Sequence, residues 1–260
     1  MLLAVDVGNT HTVIGVFRGD ELVDHWRIGT DDRRTADELA LLFQGFLALH
    51  GMSFERHVTG VCVGSVVPSV TQALREMTRR YFHYNAVVVE PGVRTGVPIL
   101  TDNPKEVGAD RIVNAVAAVH LYGGPCVVVD FGTATTFDAV SERGEYLGGA
   151  IAPGIGISVD ALSAAGAQLR KVELAKPRSV VGKSTVEALQ SGIVYGFAGQ
   201  IDGIVERMVK ELGGHARVIA TGGLARVVIE ASALIDVHEP WLTLVGLRLV
   251  YEKNAGPDAP

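Results

Sequence analysis

Cysteine is nearly absent: Cys62 and Cys126 are the only two in 260 residues, and both fall inside apolar strand patterns. A disulfide framework is excluded, and reduced core thiols are expected, as in a cytoplasmic protein. No run of Lys and Arg occurs and the net charge is −6, so the chain has no basic footprint for nucleic acid. No uncharged apolar run reaches the roughly 18 residues of a membrane span. The first residues carry no basic segment and meet a carboxylate at Asp6, unlike a signal peptide. The hydrophobic share, by contrast, is 48%, ample for sizeable cores, and the length suits one large domain or two ordinary ones.

Two stretches organise the chain. Leu2 to Val5 reads as a buried strand ending in Asp6; Gly8, Asn9 and Thr10 form a tight polar turn, and a second strand runs from Thr12 to Phe17. Glycine lets backbone approach an anion, exposed N–H groups face it, and the Asp can orient magnesium or its water shell. An ordinary hairpin with a polar turn is the other reading of this stretch alone. The design returns 124 positions later: without a gap, Val5, Asp6, Gly8, Thr12, Val16 and Glu21 match Val129, Asp130, Gly132, Thr136, Val140 and Glu145. A third strand follows in each copy. Each half is expected to open with three strands and continue with alternating helices and strands, the first domain spanning residues 1–122 and the second 123–260, joined at Tyr122-Gly123-Gly124-Pro125. Two such turns, facing each other across a cleft, would grip a polyphosphate.

In order along the chain, Thr35-Ala36-Asp37-Glu38 is a capping box opening a helix with Leu39, Leu42, Phe43, Phe46 and Leu47 on one face. Pro104 begins a helical start that Gly108 interrupts, so the main helix is expected near Ala109. Asp110 and Arg111 at that helix start have two open readings: a helix-dipole carboxylate in a surface pair, or a base beside an anion clamp. Gly182-Lys183-Ser184 resembles the end of a P-loop, but position 177 is Pro177 where that motif needs glycine, so the match is rejected. Ser184-Thr185-Val186-Glu187 reads instead as a capping box for a long helix. Its Gly192, Gly196, Gly199 and Gly203 imply tight packing. An irregular stretch is expected over 168–181. Thr221-Gly222-Gly223 turns a strand into a helix beginning at Leu224; it is either a phosphate or nucleotide contact or a plain tight turn.

With the repeated Asp-x-Gly hairpins and the Thr-Gly-Gly turn, the chain resembles the actin-like ATPase superfamily. Asp6-Val7-Gly8-Asn9-Thr10, Gly108-Ala109-Asp110-Arg111, Asp130-Phe131-Gly132-Thr133-Ala134-Thr135-Thr136, Gly149-Ala150-Ile151-Ala152-Pro153-Gly154 and Thr221-Gly222-Gly223, in this order, resemble type III pantothenate kinases over almost the whole chain. That resemblance implies an α/β fold of two similar actin-like (ribonuclease H-like) domains with the active site in the cleft between them. It implies ATP-dependent phosphorylation of pantothenate in a homodimer. Asp6, Val7, Gly8, Asn9, Thr10, His11, Thr12, Val13 and Thr133 would bind ATP, with Asp6 orienting magnesium directly or through water. Asp110 would be the general base; Gly108, Ala109, Asp110, Arg111 and Thr185 would line the pantothenate site. Asp130 would hold a potassium or ammonium ion. Thr101 is a departure, since many members have Tyr there. A non-catalytic ATP-sensing protein on the same scaffold is the alternative, because fold does not fix function.

Overall fold

The computed structural model describes residues 1–165, 172–223 and 225–255. Contacts divide the chain into two compact units, one of Met1–Val97, Asn103–Ala117 and the segment from Thr243, the other of Pro98–Asp102 and Ala118–Leu242. In chain order the elements are β1 (Leu2–Val7), β2 (His11–Arg18), β3 (Glu21–Gly29), α1 (Ala36–Ala48), α2 (Phe54–His57), β4 (Gly60–Ser65), α3 (Pro68–Met77) and β5 (Val87–Val88). Then come α4 (Ala109–Tyr122), β6 (Cys126–Phe131), β7 (Ala134–Val140), β8 (Tyr146–Pro153), α5 (Ile155–Ala165), α6 (Thr185–Glu211), β9 (Arg217–Thr221), α7 (Ala225–Ile229), β10 (Val237–His238) and α8 (Leu242–Asn254).

The first unit holds a sheet of order β3-β2-β1-β4-β5, with β1 antiparallel to β2 and parallel to β4. Strand side chains alternate between faces. Leu3, Val5, Val7, Ile14, Val16, Val61 and Val63 form one core with Leu39, Phe43 and Leu47 of α1 and Val70 and Leu74 of α3. Thr35 caps α1 as a true capping box: its hydroxyl accepts from the Glu38 amide at 3.3 Å, and the Glu38 carboxylate accepts from the Thr35 amide at 2.8 Å. On the opposite sheet face glycines stand at positions 15 and 64, and α8 fills the space they leave. A Cβ on Gly15 would meet Leu244 at 2.8 Å, and one on Gly64 would meet Leu247 at 3.0 Å. This packing is why α8 joins the first unit, where a break after residue 122 would assign it to the second.

The second unit repeats the plan. Its sheet order β8-β7-β6-β9-β10 matches β3-β2-β1-β4-β5 strand for strand. Val127, Val129, Phe131, Phe137, Val218 and Ala220 pack beneath Ile155 of α5, Ile193, Ile201 and Val205 of α6, and Val228 of α7. The register corrects the ungapped alignment. Val7 pairs with Thr12, whereas Phe131 pairs with Thr135, so the second turn is one residue shorter. Thr12 therefore corresponds to Thr135, not Thr136, and Val16 to Ala139, not Val140. A bulge follows at the same place in both copies, between Val16 and Phe17 and between Ala139 and Val140. The second β-hairpin is one residue longer, which restores the spacing at Glu21 and Glu145.

Candidate active site

In the first unit Asp6 is the penultimate residue of β1, paired with Val13 on β2 and Gly64 on β4. The amide of Gly8 donates to the His11 carbonyl at 3.0 Å and closes the turn. Thr30 fixes it from behind. The Thr30 hydroxyl donates to the Gly8 carbonyl at 2.7 Å, and its amide donates to the Thr10 carbonyl at 3.0 Å. Its proton thus committed, Thr30 accepts from the buried Thr12 hydroxyl at 2.9 Å. Val7 and Thr12 are buried, while Asn9, Thr10 and His11 are exposed, which leaves the crest of the turn open to an anion. Thr30 carries no motif, and sequence reasoning missed it.

The start of α4 lies at the same end of this sheet. Val66 follows β4 and donates its amide to the Val7 carbonyl at 3.0 Å; its side chain lies 3.9 Å from where a Cβ on Gly108 would sit. A Cβ on Gly64 would lie 3.9 Å from that of Ala109. Asp6 and the segment Gly108–Arg111 are thus neighbours through two adjacent strand ends. The helix begins at Ala109, after a 3-10 turn at Pro104–Glu106, as the glycine predicts. One oxygen of Asp110, Oδ1, accepts from the Arg111 amide at 2.8 Å, an N-terminal contact that orients the carboxylate. A Cβ on Gly108 would sit 2.5 Å from that oxygen, so glycine is required for the Asp110 side chain to fold back here. The helix is pinned further along by α8, where the Thr243 hydroxyl donates to Asn114 Oδ1 at 2.8 Å.

In the second unit Asp130 is the penultimate residue of β6, paired with Thr136 and Thr221. The amide of Gly132 donates to the Ala134 carbonyl at 3.1 Å. Gly154 occupies the position of Thr30, and a Cβ there would run into the Thr133 carbonyl oxygen. The exchange has a visible consequence: Thr135, fully buried, has no partner for its hydroxyl, because Gly154 lacks the oxygen that Thr30 gives Thr12. Gly222, at φ +94°, closes on the other side; its Cβ would lie 2.6 Å from Asp130 Oδ1 and 2.7 Å from the Phe131 backbone. The Thr-Gly-Gly turn and the Asp130 turn are therefore one packed structure. The expected helix start at Leu224 lies outside the described residues, and α7 is described from Ala225. Thr101 sits beside β8, its methyl 3.7 Å from the Cβ position of Gly148, and its buried hydroxyl has no partner.

Thr185 is the exposed first residue of α6, in the second unit. Ser184 caps the helix by accepting from the Glu187 amide at 3.2 Å. The reciprocal bond of a capping box is displaced: Glu187 accepts from the Lys183 amide at 3.0 Å, not from Ser184. Its pairing with Arg178 is the main reason its carboxyl is held below the ordinary value. Three glycines of α6 are not packed tightly: among the described residues nothing lies within 4 Å of a Cβ on Gly192, Gly196 or Gly199. The expected irregular stretch lies outside the described residues up to 171; residues 172–184 carry no helix or strand. Burial pushes both thiols, Cys62 and Cys126, up to about 12, which leaves them protonated and poor nucleophiles. No described helix is long and apolar enough to cross a membrane.

Comparison with known proteins bears on the family and the fold. The family model of type III pantothenate kinase matches residues 2–207. The type III pantothenate kinase of Streptomyces griseus subsp. griseus is 68% identical over 98% of both chains. Among solved structures, a Baf family transcriptional activator from Campylobacter jejuni superposes with a TM-score of 0.61 at 20% identity, covering 97% of this chain and 98% of that one. The activator of 2-hydroxyisocaproyl-CoA dehydratase from Clostridium difficile, with bound ADPNP, superposes at 0.58 and 14% identity, covering 97% and 95%. At such identities the structures speak for the fold alone, which is that of the actin-like ATPases and sugar kinases. With a family model over most of its length and a relative so similar, the chain belongs to the type III pantothenate kinases.

Proposed function

We propose that this chain transfers the terminal phosphoryl group of ATP to the primary hydroxyl of pantothenate, forming 4'-phosphopantothenate at the first step of coenzyme A biosynthesis in the cytoplasm. The observation that carries this reading is the proximity, within one unit, of a phosphate-type turn at Asp6–Thr10 and an oriented carboxylate at Asp110. Phosphoryl transfer asks a protein mainly for positioning and charge neutralisation. The turn residues Asp6 to Val13 supply amides and hydroxyls to ATP phosphates. Asp110 Oδ2 takes the acceptor proton, while Oδ1 stays on the Arg111 amide. Arg111 faces the substrate carboxylate, and Gly108 and Ala109 leave room for the acceptor. Thr133 contacts ATP from the second turn, and Thr185 contacts pantothenate.

The single carboxylate of the first turn suits magnesium, an ion that keeps most of its waters and binds through one or two carboxylates and substrate phosphates. Asp130, with its oxygen in the space a Gly222 side chain would fill, suits a potassium or ammonium ion. Bound there, such an ion offsets phosphate charge where neither turn has Lys or Arg. Asp130→Ala is expected to remove the difference in rate between potassium and sodium salts; an unaltered ratio would contradict the cation role.

The exposed stripe Ala188, Gly192, Gly196 and Gly199 on α6 supports a homodimer. Small residues let two helices approach closely, and among the described residues nothing lies within 4 Å of a Cβ on Gly192, Gly196 or Gly199. Gly196→Arg is expected to halve the mass in solution while the chain stays folded, since the added side chain meets nothing described within the chain. A dimer that persists would place the interface elsewhere. Formation of 4'-phosphopantothenate from ATP and pantothenate is the test of the activity itself.

A further inference from the structure

A cavity of about 310 Å³ lies in the first unit, apart from the Asp6 and Asp110 segments. One wall is a single helical face: Arg75, Thr78 and Arg79, at spacings of three and four, line it from α3 and the π-helical turn Thr78–Phe82 that continues it. The opposite wall is β5, the outermost strand of its sheet, with Val87 and Val88. Val93 adds to the apolar floor. The volume lies at the lower end of small-molecule sites, which are mostly apolar with few polar anchors.

The polar groups differ in what they have to offer. Arg75 is already paired with Glu90 at 2.6 Å. Arg79 donates Nε to the neutral Asn85 Oδ1 at 3.0 Å, and no described carboxylate pairs with it. Asn85 thereby braces the guanidinium at one nitrogen and leaves the two terminal nitrogens for a bidentate acceptor. The lining is net positive by that one charge, in a protein whose net charge is −6. Two further features lie alongside. π-helical turns are rare and recur at functional sites. His83, which ends this one, is the only described non-glycine residue with positive φ, at 62°, a conformation non-glycine residues seldom adopt.

We propose that this cavity is a second ligand site, which takes a small organic anion with its charged head on Arg79 and a branched apolar body against Val87, Val88 and Val93. A peptide added to the sheet edge fits poorly, because β5 is two residues long and main-chain pairing supplies most of the affinity in that mode.

Calorimetric titration with isobutyl phosphate, isovalerate and the neutral isoamyl alcohol tests it. Both phosphate turns are intact in every protein compared, so binding at them cancels between wild type and variants. Expected is a Kd of about 1 mM or tighter for at least one of the two anions, weakened roughly tenfold or more in Arg79→Gln, with this cavity component lost in Val93→Trp, whose indole occupies part of the cavity. The alcohol is expected not to bind measurably. Kinase turnover without added anion should be unchanged in both variants. Anion binding that is equal in wild type and Arg79→Gln, or absent from wild type, would overturn the proposal. Preference between phosphate and carboxylate would identify the head group.

Discussion

Asp110→Asn is expected to lower kcat by roughly 10²–10⁴-fold, the range for loss of a general base, while the Kd for ATP stays unchanged. The substitution is nearly isosteric. Asn keeps an Oδ1 that accepts from the Arg111 amide, now at 2.8 Å, so the helix start and the fold against Gly108 are retained. What is lost is an oxygen able to take the proton of the acceptor hydroxyl. Because the transferring phosphoryl group is only loosely bonded at the transition state, the proton leaves late, and the lower half of that range is the more natural outcome. Turnover by coupled ADP release and ATP affinity by calorimetry give the two numbers. A variant that turns over near the wild-type rate would remove Asp110 as the base. A variant that loses ATP binding would show that its role is structural.

Gly154→Ala is expected to damage the second phosphate turn more than any change of one methyl on the surface could. The added Cβ has no room beside the Thr133 carbonyl, which is backbone and cannot rotate away. Either β8 or the turn must shift, at a cost typical of overpacking, about 1–3 kcal/mol, which lowers the melting temperature by several degrees, at about 2–4 °C per kcal/mol for a chain of this size. If Thr133 contacts ATP as proposed, the KM for ATP should rise by about tenfold as well, since ~1.4 kcal/mol of lost contact is a factor of ten. Gly45→Ala on α1 is the control: nothing lies within 4 Å of that Cβ, so stability should hold or rise by up to about 1 kcal/mol. Equal behaviour of the two variants would mean the turn is not held as described.

Much of this was readable from the chain. The Asp-x-Gly turns announced two equivalent sheets, and the strand orders bear that out. The glycine at 108 foretold the helix start at Ala109. The register within each copy was not readable, because a one-residue deletion in the first turn is compensated by a one-residue insertion in the next hairpin. An ungapped comparison passes over both. Thr30 was invisible for a different reason. Its value comes from a long-range meeting with Gly8 and Thr12, and its counterpart is the unlike residue Gly154. The attachment of α8 to the first unit rests on space left at Gly15 and Gly64, which has no local sequence signal. The α6 glycines were legible as a stripe, but whether the chain covers that stripe itself depends on tertiary packing, and among the described residues nothing does.

The most direct measurement is product formation from ATP, magnesium and pantothenate, followed by mass spectrometry, with potassium and with sodium as the added salt. The account predicts 4'-phosphopantothenate and ADP in equal amounts, faster with potassium. ATP binding without phosphopantothenate under either salt would contradict it and leave a nucleotide-sensing protein on a kinase scaffold.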